Sequence, residues 1–80
     1  MLEVPENLEK MGVWDLLDLA VKKMAARYPS GLLNPSIDYR YYKKAILGSF
    51  DDSGMLVEER KRRLLGYLLN DDLIVGLYDP

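Results

Sequence analysis

The sequence contains neither cysteine nor histidine. Without cysteine there is no disulfide, no thiolate nucleophile and no cysteine-held zinc. Without histidine the chain lacks the side chain that titrates nearest neutral pH and the commonest metal ligand. Serine occurs only at Ser30, Ser36, Ser49 and Ser53, with no imidazole to activate it. The six glycines are isolated, so no phosphate-cradling loop is present. No window approaches the roughly 18 apolar residues needed to span a bilayer. Residues 1–6 have neither the basic nor the apolar region of a secretory signal. Charge of one sign is scarce too: 11 Lys and Arg against 13 Asp and Glu leave a formal charge of −2. A global attraction to nucleic acid or anionic lipid is not expected from that balance. Together these absences lead us to expect no enzyme activity, no cofactor, no membrane association and a cytoplasmic setting.

What remains is enough for one small core. At 80 residues, 49% hydrophobic and 30% charged, the chain reads as a single globular domain over residues 1–80. Six tyrosines, one tryptophan and one phenylalanine supply large buried areas to a short chain that has no covalent staple.

Apolar spacing predicts a first helix over residues 12–28, with Val13, Leu16, Leu17, Ala20, Val21, Met24 and Tyr28 in one broad stripe. Leu19 and Ala26 widen that stripe, which suggests two packed neighbours. Asp18 precedes Lys22 by four, the favourable order for a helical ion pair. Pro5 and Glu6 resemble the first turn of a short lead-in helix ending near Met11. Asn34-Pro35 is a start signal for a second helix over 35–48, with Ile37, Tyr41, Tyr42, Ala45 and Ile46 inward. A competing strand reading of 37–42 rests on alternation of Ile37, Tyr39 and Tyr41 with Asp38 and Arg40. Residues 48–54 read as a turn in which Asp52 or Ser53 caps a third helix over 55–69. That helix would turn Val57, Leu64, Leu65 and Leu68 inward, and residues 70–72 would close it. The tail from Leu73 to Tyr78 is apolar and β-leaning, suited to packing over the helices, pairing with a strand around Ile37 to Tyr41, or pairing across a dimer. The expected fold is mainly α, a compact three- or four-helix domain with a short extended C-terminal segment. The alternative is a small α+β domain.

Two basic runs attract attention. Arg60-Lys61-Arg62-Arg63 could contact phosphates, but Glu58 and Glu59 stand four residues before Arg62 and Arg63 and can neutralise them. The acidic start of that helix would also meet a DNA backbone unfavourably. Tyr39-Arg40-Tyr41-Tyr42-Lys43-Lys44 mixes aromatics with bases, a composition that suits a protein interface or a nucleic-acid stack. Three tyrosines and three bases cannot share one helix face, so at least one tyrosine should be exposed. The acidic turn at 51–54 fails as a calcium loop, because Arg62 occupies the position where a bidentate Glu is needed.

The expected function is therefore non-catalytic: a protein–protein interaction module (adaptor, inhibitor or assembly subunit), capable of self-association. Candidate contact residues are Trp14, Tyr39, Arg40, Tyr42, Lys43, Lys44, Arg60, Lys61, Leu73, Val75 and Tyr78. The alternative is a small nucleic-acid-binding regulator using helices 35–48 and 55–69.

Overall fold

The apolar stripe of residues 13–24 forms the centre of the fold in a computed structural model that describes residues 8–29 and 34–72. A short 3-10 turn, Leu8–Lys10, leads into α1 (Val13–Arg27), followed by α2 (Pro35–Asp52) and α3 (Val57–Asn70). The architecture is mainly α, with no strand among the described residues. Helix α2 and helix α3 each pack along α1 and make little direct contact with one another. Leu16, Leu17, Ala20, Val21 and Met24 are accordingly all buried, since α1 has a neighbour on either side of its stripe. Burying side chains of this size stabilises by about 1.5–3 kcal/mol each. Ile46 and Phe50 of α2, Leu64 and Tyr67 of α3 and Leu8 of the lead-in turn complete the core.

The start of α2 is as the sequence predicts. Pro35 takes the first helical position, and Asn34 Oδ1 accepts a hydrogen bond from Ser36 N at 3.1 Å. The strand alternative for 37–42 is overturned, because these residues are α-helical. The predicted end of α2 is also corrected: the helix runs through Gly48 to Asp52. Its true stop is a glycine-closed cap. Gly54, at φ 65°, donates to Asp51 O at 3.0 Å, and Met55 N donates to Phe50 O at 3.1 Å. Asp52 and Ser53 therefore end α2 rather than begin α3.

That extra turn changes which face of α2 is inside. With Phe50 helical and buried, the stripe runs Tyr39, Tyr42, Ile46, Phe50. Ile37 and Tyr41, expected inward, fall on nearly the opposite side of the helix, roughly 145–175° from that stripe at 100° per residue, and are exposed. In α3, Leu64 is buried and Leu65 and Leu68 are half-buried, as expected. Val57 is exposed instead, and Tyr67, absent from the predicted stripe, is core. The N-cap of α3 is Leu56, which makes no side-chain cap bond.

Two polar pins hold the outer helices to the rest. Lys23 Nζ on α1 donates to Tyr67 O at 2.7 Å, lies 4.5 Å from the centre of the Tyr67 ring and pairs with Asp71 at 2.7 Å. Arg27 meets the same Asp71 carboxylate at 2.7 Å. A cation over the last carbonyls of α3 satisfies groups the helix cannot, and suits the negative end of its dipole. Asp71 is held in the left-handed region at φ 57° at this junction. At the other end, Arg60 of α3 donates to Met55 O at 2.8 Å and pairs with Asp51 at 2.9 Å.

Three substitutions test this account by urea unfolding. No atom lies near the position a Cβ would take on Gly48. Gly48→Ala should therefore stabilise by about 0.5–1 kcal/mol, whereas a turn there would make it destabilising. Phe50→Ala should destabilise by about 3–5 kcal/mol. Leu56→Asp should supply the missing cap and add about 0.5–2 kcal/mol.

Candidate functional site

The first turn of α1, the last turns of α2 and the first turn of α3 converge at one end of the domain. Between them lies a shallow cleft of about 100 Å³. Helix α1 contributes Val13, Trp14 and Leu17, α2 contributes Leu47 and Phe50, and α3 contributes Val57, Arg60 and Leu64. The floor is the edge of the core, since Leu17, Phe50 and Leu64 are buried. The rim is not. Trp14 is 65% exposed, Val57 59% and the neighbouring Leu56 78%. Arg60 is the one charged lining residue, and its charge is already committed to Asp51, with the guanidinium 5.7 Å from the Phe50 ring centre.

The same end is acidic. Asp15, Asp52 and Glu58 are exposed and make no ion pair among the described residues. Asp15 and Glu58 sit in first turns, where they suit the helix dipole. Asp52 sits in the last turn of α2, where a carboxylate is unfavourable and no base offsets it.

The remaining predicted contact residues separate into engaged and free groups. Tyr39 and Tyr42 are half-buried and bonded within the fold: Tyr39 Oη donates to Asp18, and Tyr42 Oη to Tyr28 O at 2.6 Å. Lys43 Nζ lies 5.9 Å from the centre of the Tyr39 ring. Arg40 and Lys44 are exposed without an ion pair among the described residues. The exposed tyrosine anticipated in this run is Tyr41, at 67%. On α3, Arg62 and Arg63 both pair with Glu59, the latter at 3.2 Å, while Lys61 has no such partner there. The expected Glu58–Arg62 pair is replaced by Glu59–Arg62. Leu73, Val75 and Tyr78 lie outside the described residues.

Trp14 and the cleft were thus only partly legible. Val57 went unrecognised as a surface residue because a hydrophobic residue at a helix start reads as part of the stripe, and Leu56 was assigned to no face. An exposed apolar side chain at a cap position is the signal that finds them.

No protein family, no curated protein and no solved structure matches this chain. Function rests on the site. No helix among the described residues is long and apolar enough to cross a membrane. No group of three or more acidic side chains there is placed to hold a metal ion.

Electrostatics elsewhere are structural. The hydrogen bond from Tyr39, then the Lys22 ammonium at 2.9 Å, hold the Asp18 carboxyl below its usual value. The same bond to Asp18 pushes the Tyr39 hydroxyl up. Lys23, and then Arg27, hold Asp71 down despite some desolvation. Carboxylates depressed by folding stabilise above their unfolded value, and that contribution is lost as pH falls. Stability should therefore decline as pH drops below 3.8, the ordinary aspartate value. Asp71→Asn should lower stability at neutral pH and flatten that acid limb in pH-dependent urea titrations. In carboxyl NMR titrations, Tyr39→Phe should move the Asp18 midpoint back up toward 3.8.

Proposed function

We propose that this chain is a non-catalytic protein-interaction module that docks a partner protein at the cleft between α1, α2 and α3. The observation that carries the reading is the exposure of Trp14, Leu56 and Val57 around an apolar floor whose core is complete without them. Leu56 is the sharpest case. At an N-cap, leucine costs about 0.5–2 kcal/mol relative to Asp, Ser or Asn, and at 78% exposure it returns little packing. Local rules broken in this way mark functional surfaces more often than random ones. A clustered exposed apolar patch has the same meaning, and tryptophan is the residue most enriched among interface anchors.

The apolar lining favours a partner that brings apolar side chains to the cleft. The unpaired carboxylates Asp15, Asp52 and Glu58 at this end of the domain disfavour nucleic acid there. The basic run on α3 adds little to a nucleic-acid reading, since Arg60, Arg62 and Arg63 are engaged with carboxylates.

The test starts from a partner captured from the native host, identified and purified. Trp14→Ala and Val57→Ser should leave urea stability within about 1 kcal/mol, as exposed positions do. Each should weaken partner binding tenfold or more by calorimetry, in the range of a hot spot. Arg62→Ala, on the opposite face of α3, should change little. A folded Trp14→Ala protein that binds its partner as tightly as the wild type would sink the reading.

A further inference from the structure

The inner faces of α2 and α3 are in phase, although a turn separates the two helices. Set on one uninterrupted helix at 100° per residue, Tyr39, Ile46, Phe50, Val57, Leu64 and Leu68 fall within a sector of about 40°. Each follows the last by four or seven residues, the spacing of a continuous seam. Five of the six already serve the core: Ile46, Phe50 and Leu64 are buried, and Tyr39 and Leu68 are partly buried against them. Val57 is the exception, exposed at 59%. On the same continuous helix Asp51, Asp52, Glu58, Glu59, Arg62 and Arg63 lie about 80° or more outside the sector, and Lys61 borders it. A hairpin needs no such agreement, because each of its helices meets α1 separately.

Little has to change to make that helix. Ser53 N already donates to Ser49 O at 3.2 Å, in the helical manner. Beyond it, only Gly54, Met55 and Leu56 stand before α3 begins at Val57. Straightening this junction breaks the bonds of Arg60 to Asp51 and to Met55 O, and few others between α2 and α3. It also carries α3 away from its own α1. The surface that matches α3 is then α1 of another copy, where the same contacts form again, including Lys23 to Tyr67 O and to Asp71. We infer that two copies of this chain exchange α3, with α2 and α3 of each joined into one helix whose second half packs on the α1 of the other. The exchange is reciprocal and closed, so association stops at the dimer. Val57 then stands in line between Phe50 and Leu64. Gly54 sets the balance: its φ of 65° suits the compact turn, whereas a helix interior disfavours glycine. The inference does not rest on the docking cleft.

Two substitutions at the junction act in opposite directions. Gly54→Ala places a Cβ at positive φ in the compact form and removes a helix breaker from the exchanged one. No atom lies within 4 Å of that Cβ, so backbone conformation alone responds. The dimerisation constant should rise about a hundredfold, roughly tenfold from each chain. Val57→Pro does the reverse. Position 57 opens α3, where proline is favoured, and Leu56 before it already has the extended backbone that proline imposes on its predecessor. Inside a continuous helix the same proline is a break. Mass is read by sedimentation equilibrium after refolding from urea at about 1 mM, a concentration at which exchange competes with folding alone. Shape is read within one chain, from spin labels on Arg40→Cys and Asn70→Cys diluted with unlabelled protein. Along a continuous helix these positions are about 45 Å apart. The longest extent of the compact chain is 34 Å, and the start of α2 and the end of α3 both lie beside the last turns of α1.

The expected result is a wild-type dimer with the long distance, more of it in Gly54→Ala, and none in Val57→Pro. A wild type that stays monomeric at about 1 mM overturns the inference. So does a dimer whose labels remain as close as in the monomer, because that is association of compact chains. A Val57→Pro chain that dimerises as readily as the wild type overturns it too. Should Gly54→Ala fold poorly, Arg60→Leu replaces it: the change removes both bonds that tie α3 to the end of α2, and it should likewise increase the dimer. The docking reading fails separately, on the Trp14→Ala partner titration.

Discussion

Everything in this fold depends on one helix being buried on two sides. Helix α1 carries an apolar stripe too broad for a single neighbour, and the chain answers with α2 on one flank and α3 on the other. Because the two outer helices meet α1 rather than each other, they leave a furrow floored by Leu17 of α1 with Phe50 of α2 and Leu64 of α3. At the end where α1 begins, that furrow is the cleft. The cleft is thus a direct consequence of the packing scheme. A 15-residue helix cannot be wrapped completely by two others.

The polar pins explain which charges are spent within the molecule and which are left over. Lys23 and Arg27 converge on Asp71 to hold the end of α3 to α1, and Arg60 holds the start of α3 to the end of α2 through Asp51. Glu59 absorbs Arg62 and Arg63. After this pairing the free carboxylates at the cleft end are Asp15, Asp52 and Glu58, and the free bases on α2 are Arg40 and Lys44. A chain of net charge −2 becomes, once folded, a molecule with an acidic apolar end and a basic aromatic face. Overall charge conceals that separation, which is what would guide an encounter between surfaces.

Tyrosine illustrates how one residue type serves opposite purposes along a single run. Tyr39 and Tyr42 present their rings to the core and their hydroxyls to Asp18 and the Tyr28 carbonyl, so both ends of each side chain are used. Tyr41, between them, is directed outward and touches Tyr42 edge-on at 5.3 Å between ring centres. The alternation follows from the 100° step of a helix. It turns a compositional cluster into a structural pair and one surface anchor.

The sequence by itself determined the class of the fold, the position of α1, the Asn34-Pro35 start and the absence of imidazole and thiol chemistry. These features are local: periodicity, a capping pair and composition are complete within a few residues. It misplaced the end of α2, because Gly48 is a common helix breaker and the Ser53-Gly54 stop lay one turn beyond. That error rotated the apparent inner face toward Ile37 and Tyr41, and Phe50 was missed with it. Only the tertiary structure decided that Val57 and Leu56 are exposed, that Arg60 is a clamp and that Trp14 faces a cleft. Each depends on what packs opposite, a relation between segments far apart in the chain that no local pattern encodes.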